Sequence, residues 1–118
     1  MNRVILKPIK KDRWELVQDY EYESSFGIIS IPKGFITNGA NIPRILWSLF
    51  PPNSPEYISA ATIHDYLCLN AYKDNKNYAM FYFADKVFYE CLRKLNVNKF
   101  KAKIFYIFCR AYHYVKYK

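Results

Sequence analysis

The sequence predicts an α+β fold in which a small N-terminal antiparallel β-sheet is followed by a Pro-rich loop and three antiparallel α-helices. The first third of the chain is rich in β-branched and aromatic residues between turn signals, and the second half has helical periodicity with capping residues. We expect a single domain over residues 1–118. Its β part covers about 1–36, its loop about 37–54 and its helical part about 55–118.

The β part contains three runs that favour strands. They read RVILKPI, WELVQDYEYES and GIISIPKGF, and they are separated by polar residues at 10–12 and by a Gly-containing turn at 24–27. Gaps of this length are typical of hairpins, so we expect about three antiparallel strands.

The loop is predicted from its Pro, Gly and Asn content in PKGFITNGANIPRILWSLFPPNSP. Asn38-Gly39 is a turn signal because both residue types tolerate a positive φ. The segment is also too apolar to stay in solvent, so we expect Trp47 and its apolar neighbours to pack on the domain.

Three helices are predicted over the rest of the chain from caps and breaks. The first covers about Pro55–Ala71 with Ser54 as its N-cap, and the second covers about Asn77–Leu95. The third runs from an N-cap at Asn98 to about Val115. Sequential helices with short connections favour antiparallel neighbours.

The composition is basic and aromatic, with a net charge of +8, 12 Tyr, 9 Phe and 2 Trp. This balance is compatible with nucleic acid, an anionic membrane surface or an acidic protein partner, but an abundance of Lys, Asn and Ile is also typical of AT-rich genomes. The sequence shows neither a signal peptide nor an apolar run that could span a membrane, so we expect a cytoplasmic protein. It does not predict an oligomeric state.

Two residue types are given structural interpretations. Cys68, Cys91 and Cys109 form no CxxC motif and lie in apolar helical runs, so they are expected to be reduced, buried thiols. His113 has no acid near it in sequence and is expected at the surface.

His64 and Asp85 are predicted to meet across the first two helices. They lie at similar separations from the break between these helices, and an antiparallel pair places such residues at one height. Asp85 also falls on the apolar stripe of Phe81 and Phe88, where a carboxylate needs a partner. The carboxylate would orient the imidazole, whereas Asp65 would point about 100° away.

Several blocks of the sequence resemble the phage-associated domain-of-unknown-function family 1353, found in tailed phages and prophages. The resemblance covers residues from Pro32 to about Ala111. The matching positions are Thr37, Gly39, Ala40, Ile42, Pro43, Arg44, Trp47, Pro51, Pro52, Ala61, His64, Asp65, Tyr66, Leu67, Ala84, Asp85 and Phe88. This sequence has Asn38 where the family pattern has Asp, and Asn41 where it has Ser. The family has no established activity. The resemblance therefore implies a phage or prophage origin, and the cytoplasm of a bacterial host as the location, but no mechanism.

The order of His64, Asp65 and Asp85 is also similar to that in His-Asp phospholipases, where a second helix supplies the Asp that orients the His. This is a likeness of arrangement only. It places a candidate binding loop upstream of His64, formed by Thr37, Asn38, Gly39, Ala40, Asn41 and Arg44.

Three functions are compatible with these observations. The first is a phage accessory protein that binds a host or virion partner in counter-defence, assembly or lysis, using exposed aromatics and the basic third helix. The second is a small hydrolase with His64 as base, Asp85 as its orienter and Asp65 as a ligand for Ca²⁺ or Mg²⁺. The third is a nucleic-acid-binding protein.

Overall fold

The N-terminal part forms five short strands, and together with the helices it confirms the predicted α+β fold. The computed structural model describes residues 2–10, 13–37 and 57–118. The predicted Asn38-Gly39 turn, most of the predicted loop and the predicted N-cap Ser54 lie outside these residues. The strands are β1 (Leu6–Lys10), β2 (Arg13–Leu16), β3 (Tyr20–Ser24), β4 (Gly27–Ile31) and β5 (Ile36–Thr37).

The strands form two antiparallel sheets. One has the order β1-β2-β5, and the other is the β3-β4 hairpin. The second predicted run is split because residues 17–19 leave the ladder, and the Asp19 side chain accepts a hydrogen bond from the Lys33 backbone N–H at 2.8 Å. This contact between residues 14 positions apart coincides with the end of one strand and the start of the next.

The β3-β4 hairpin has one buried face. Tyr20 pairs with Ile31, and Tyr22 with Ile29. All four side chains are buried, whereas the residues between them are exposed. Gly27 closes the turn with a φ of +129°, a conformation that side chains disfavour. The alternation lets this hairpin cover the helices with its apolar face.

Three helices make up the second half: α1 (Ile58–Lys73), α2 (Tyr78–Lys94) and α3 (Lys99–Tyr117). The side chain of Asn77 caps α2 by accepting from the Met80 N–H, and the side chain of Asn98 caps α3 by accepting from the Phe100 N–H. The predicted extents of α2 and α3 are confirmed to within two residues. None of the helices in the described part of the chain is both long and apolar enough to cross a membrane.

The core lies between the hairpin and the helices. α2 packs against both α1 and α3, so it is the central helix. Its buried residues Val87, Phe88 and Leu92 belong to the same cluster as Tyr22 and Ile31 of the hairpin. The central position of α2 means that a polar residue on its inner face must find partners on the other two helices.

Glu90 of α2 joins the hairpin to the helices. It accepts hydrogen bonds from the Tyr22 hydroxyl at 2.7 Å and from the Ser25 backbone N–H at 3.1 Å, and Lys94 lies 3.4 Å away. Partial burial opposes ionisation of Glu90, but these hydrogen bonds outweigh it, so the pKa of Glu90 lies below its ordinary value.

We expect Glu90→Ala to lower the free energy of unfolding by about 1–2 kcal/mol at pH 7, because the Tyr22 hydroxyl loses a charged acceptor. Since the pKa of Glu90 is lower in the folded state, the contribution of its charge is present above the unfolded pKa and is lost as the pH falls through the folded pKa. Urea unfolding at neutral pH and near pH 3 measures both effects. Glu21→Ala, an exposed change on the same hairpin, is the control, and an equal loss for Glu90→Ala at both pH values would contradict this assignment.

Candidate functional site

Asp85 lies at the centre of the candidate site and is completely buried. It follows Phe81 by four residues and precedes Phe88 by three, so α2 holds it on the same inner face as these two buried rings. A carboxylate without solvent needs hydrogen-bond donors and a compensating positive charge. The helices on both sides of α2 supply them.

Three side chains donate hydrogen bonds to Asp85. His64 Nε2 of α1 lies 2.7 Å from Oδ1, and His113 Nδ1 of α3 lies 2.7 Å from Oδ2. Arg110 of α3 also donates to Oδ2, at 2.8 Å. The predicted contact of His64 with Asp85 across two antiparallel helices is therefore confirmed.

Arg110 is itself held in place by aromatic residues of α2. Its guanidinium donates a second hydrogen bond to the Tyr78 hydroxyl and lies 4.2 Å from the centre of the Tyr82 ring. A planar guanidinium that stacks on a ring and donates two hydrogen bonds keeps a fixed orientation. The permanent charge of Arg110 thus balances that of Asp85 without requiring either histidine to be charged.

The surface position expected for His113 is wrong, since this residue is buried with 5% of its surface exposed. It lies on the face of α3 that packs against α2, four residues after Cys109 and eight after the buried Phe105. Its ring lies 4.7 Å from that of Phe81. The acid that pairs with it, Asp85, lies on a different helix and 28 residues away in the sequence.

Cys68 forms one cluster with His64, Asp85 and His113, and it is missing from the site residues that the sequence suggested. Its Sγ lies 3.4 Å from His64 Nε2 and 3.9 Å from His113 Nε2. All three cysteines are free, and burial is confirmed for Cys91 but is wrong for Cys68 and Cys109, which are half-buried. Cys68 in addition contacts both imidazoles. Cys68 follows His64 by four residues, so both lie on one face of α1.

The distances define the protons of this cluster. Asp85 is ionised, so His64 Nε2 and His113 Nδ1 must each carry the hydrogen that they donate. A neutral His113 ring then has its lone pair on Nε2, which faces the Cys68 thiol. Cys68 can give its proton to His113, and the resulting thiolate would share the one hydrogen of His64 Nε2 with Asp85.

The pKa values follow the same pattern. Burial opposes ionisation of Asp85, but hydrogen bonds from His113 and His64 outweigh it and lower the pKa of Asp85. Burial likewise opposes ionisation of Cys68, but the charge of His64 and the hydrogen bond with His113 lower the pKa of this thiol. The pKa of His113 is raised because its bonds to Asp85 and Cys68 outweigh the cost of burial.

Asp65 has a different environment from the cluster. Its Oδ2 accepts a hydrogen bond from the hydroxyl of Thr37 at 2.8 Å, and Thr37 is buried. This bond fixes the start of the predicted binding loop to α1, one residue from His64. The remaining loop candidates lie outside the described residues: Asn38, Gly39, Ala40, Asn41 and Arg44.

One group of side chains in the described part of the chain has the composition of a metal site. It consists of His64, Cys68, Asp85 and His113, whose candidate ligand atoms lie within 4.8 Å of one another. Asp65, the residue that the sequence suggested as a metal ligand, is not a member of this group.

Comparison with known proteins gives one family. A family model described as "Protein of unknown function (DUF1353)" matches residues 14–108. The matched range contains His64, Cys68 and Asp85, whereas Arg110 and His113 lie beyond its end. Neither the curated proteins nor the solved structures gave a match.

We expect Asp85→Ala to lower the free energy of unfolding by about 3–5 kcal/mol, because it leaves the Arg110 charge and two imidazoles without their shared acceptor. Denaturation followed by circular dichroism measures this loss. Asp74→Ala is the control, since Asp74 is exposed at the end of α1 and should cost less than about 1 kcal/mol. Losses of similar size for the two variants would show that the contacts of Asp85 do not stabilise the fold.

Proposed function

The chain belongs to the DUF1353 family of proteins of unknown function, and we propose that it is a hydrolase of acyl substrates with Cys68 as nucleophile and His113 as general base. The observation that carries this proposal is the continuous series of contacts from Cys68 Sγ to His113 Nε2 at 3.9 Å, and from His113 Nδ1 to Asp85 at 2.7 Å.

These contacts have the order that an activated nucleophile requires. A thiol becomes nucleophilic when an adjacent imidazole accepts its proton, and a carboxylate on the far ring nitrogen holds the imidazole in the correct tautomer. His113 has one nitrogen on each of these partners. Asp85 is held by Arg110 as well, so the carboxylate cannot rotate away from His113.

His64 has a different role in this arrangement from the one that the sequence suggested. The hypothesis from the sequence makes His64 the base, and with Nε2–H given to Asp85 only Nδ1 of this ring could take that role. The same N–H lies 3.4 Å from Cys68 Sγ, where it stabilises a thiolate. Asp85 orients both rings, so the predicted dyad of His64 and Asp85 becomes part of a larger network.

The reaction balances with these groups and water. His113 Nε2 takes the thiol proton, and the Cys68 thiolate forms a bond to the carbonyl carbon of the substrate. The bond from this carbon to the leaving group breaks, and His113 returns the proton to the leaving group. A water molecule then loses a proton to His113 and cleaves the thioester, which releases the acid and restores the thiol.

The burial of the groups agrees with these roles. Asp85 and His113 are buried, as expected for positioning and base groups, whereas Cys68 is half-buried and 16% of the His64 side chain is exposed. The reacting sulfur therefore lies nearer to solvent than the carboxylate that organises the site. The bond from Thr37 to Asp65 brings the start of the candidate binding loop to the same helix.

Partner binding is a second proposal, supported by the surface of α3. Phe100, Ile107 and Val115 are 72%, 56% and 84% exposed on a helix that also carries lysines. Exposed apolar side chains of this size favour a contact with another molecule. A role as a phage accessory protein in the bacterial cytoplasm, and nucleic-acid or membrane binding, stay predictions.

Hydrolysis of chromogenic acyl esters and thioesters tests the proposed function. We expect Cys68→Ser and His113→Ala to lower the rate by at least about 100-fold, since each removes part of the nucleophile–base pair. Mass spectrometry should detect the acyl group on Cys68 of the wild type. Cys91→Ala is the matched control, because that thiol lies in the core, and it should keep the wild-type rate. Equal rates for the wild type and Cys68→Ser would reject the proposal.

Selective alkylation provides an independent prediction. Iodoacetamide at neutral pH should modify Cys68 before Cys91, because two imidazoles stabilise the Cys68 thiolate whereas burial raises the pKa of Cys91 to about 12. Peptide mapping after short exposure measures the order. His113→Ala should slow the modification of Cys68, and an unchanged rate in this variant would contradict the role of His113 as its base.

A further inference from the structure

The side chains around Cys68 include more candidate metal ligands than a buried thiol requires as neighbours. His64, Cys68, Asp85 and His113 come from three helices, and their candidate ligand atoms lie within 4.8 Å of one another. Sulfur, nitrogen and oxygen atoms are thus close together between α1, α2 and α3. We propose that this cluster binds one thiolate-preferring divalent ion of the Zn²⁺ class, which regulates the site by masking Cys68.

The distances suit a tetrahedral ion. Zn–S bonds of about 2.3 Å and Zn–N bonds of about 2.0 Å place neighbouring ligand atoms about 3.5 Å apart. Cys68 Sγ lies 3.4 Å from His64 Nε2 and 3.9 Å from His113 Nε2. Both sulfur–nitrogen distances are thus within a few tenths of an ångström of the separation that a shared tetrahedral ion requires.

The backbone prepares two of these ligands. His64 and Cys68 are four residues apart on α1, so the helix projects both side chains from one face. His113 comes from α3 and meets them over α2. Ligands on rigid helices lose little freedom when an ion binds.

Asp85 serves the metal as an outer partner. It accepts from His113 Nδ1, which directs Nε2 of the same ring towards the metal position. For His64 to be a ligand, its Nε2 must lose to solvent the hydrogen that it donates to Asp85, and Oδ1 would then join the ion in place of that hydrogen bond. Arg110 balances the charge of Asp85, so the ion itself need not do so.

The ligand set selects the class of ion. One thiolate and two imidazoles favour Zn²⁺ and similar transition ions, whereas Ca²⁺ and Mg²⁺ require several oxygen ligands. The cluster has one carboxylate, and Asp65 is bonded to Thr37 instead. The site therefore differs in both ion and ligands from the Ca²⁺ or Mg²⁺ site that the sequence suggested.

Masking of the nucleophile is the part of this inference that rests on the proposed function. A bound ion replaces the thiol proton of Cys68 and occupies the lone pair of His113 Nε2. Neither group can then take part in acyl transfer. Removal of the ion would restore the hydrogen bonds present in the structure, so the metal would act as a reversible inhibitor.

Cobalt substitution tests the site directly on the full chain. The metal-free protein is titrated with Co²⁺, then with Zn²⁺ as competitor. We expect one ion per chain, a sulfur-to-cobalt charge-transfer band in the near ultraviolet and the visible bands of tetrahedral Co²⁺. Cys68→Ser should lose the charge-transfer band, whereas Cys91→Ala should keep it. Absence of the band in the wild type, or its survival in Cys68→Ser, would overturn the metal site.

Two further measurements test the site, and the second uses the wild type, so it does not depend on the folding of a variant. Asp85→Asn removes the charge of the outer partner of His113 and should weaken Zn²⁺ binding by about 10- to 100-fold. In the wild type, Zn²⁺ should block iodoacetamide modification of Cys68, and EDTA should restore it. Modification at the same rate with and without bound Zn²⁺ would overturn the masking.

The two proposals fail in different ways. Metal binding without any acyl hydrolysis by the metal-free protein would reject the hydrolase and leave the metal site supported. Hydrolysis through Cys68 without a cobalt–sulfur band would reject the metal site and leave the hydrolase supported.

Discussion

The structure depends on the burial of one carboxylate. Asp85 has no contact with solvent, and a buried charge is tolerated only with donors and a balancing charge. Its donors come from α1 and α3, so the helices must keep one relative height and rotation for the network to form. A shift by one residue would turn His64 or His113 away by about 100°. The apolar core supplies most of the stability, and Asp85 selects one arrangement of that core.

The same constraint assembles the candidate site. Once His64 and His113 are hydrogen-bonded to Asp85, the orientation of each imidazole ring is fixed, and so is the position of its nitrogens relative to Cys68. His64 and Cys68 share a face of α1, and the Nε2 of His113 faces the same sulfur. The position of Cys68 between two oriented imidazoles is therefore a consequence of how the carboxylate is satisfied. Fold specificity and site geometry arise here from a single set of hydrogen bonds.

The sequence predicts the parts of this architecture that local chemistry determines. Asn77 and Asn98 cap helices because their side chains accept from the first turn, and equal separation from a turn predicts the contact between His64 and Asp85. The contacts of Arg110 and His113 with Asp85 depend on how α3 is rotated against α2. The spacing around the break between α1 and α2 gives no information on that rotation. The spacing of four places Cys68 on the same helix face as His64, so local chemistry is enough to predict its position. The sequence does not predict the second sheet, because the break at residues 17–19 coincides with a contact of Asp19 that is distant in sequence.

A purely structural role does not account for all of this network. Arg110 alone would balance the charge of Asp85, and one imidazole would be enough to join two helices. The structure instead places two imidazoles on the carboxylate and directs a nitrogen of each towards one thiol. Buried polar groups beyond those needed for pairing cost stability. An apolar side chain at His113 would pack against Phe81 without this cost, so the second imidazole agrees with the proposed role of His113 as the base for Cys68.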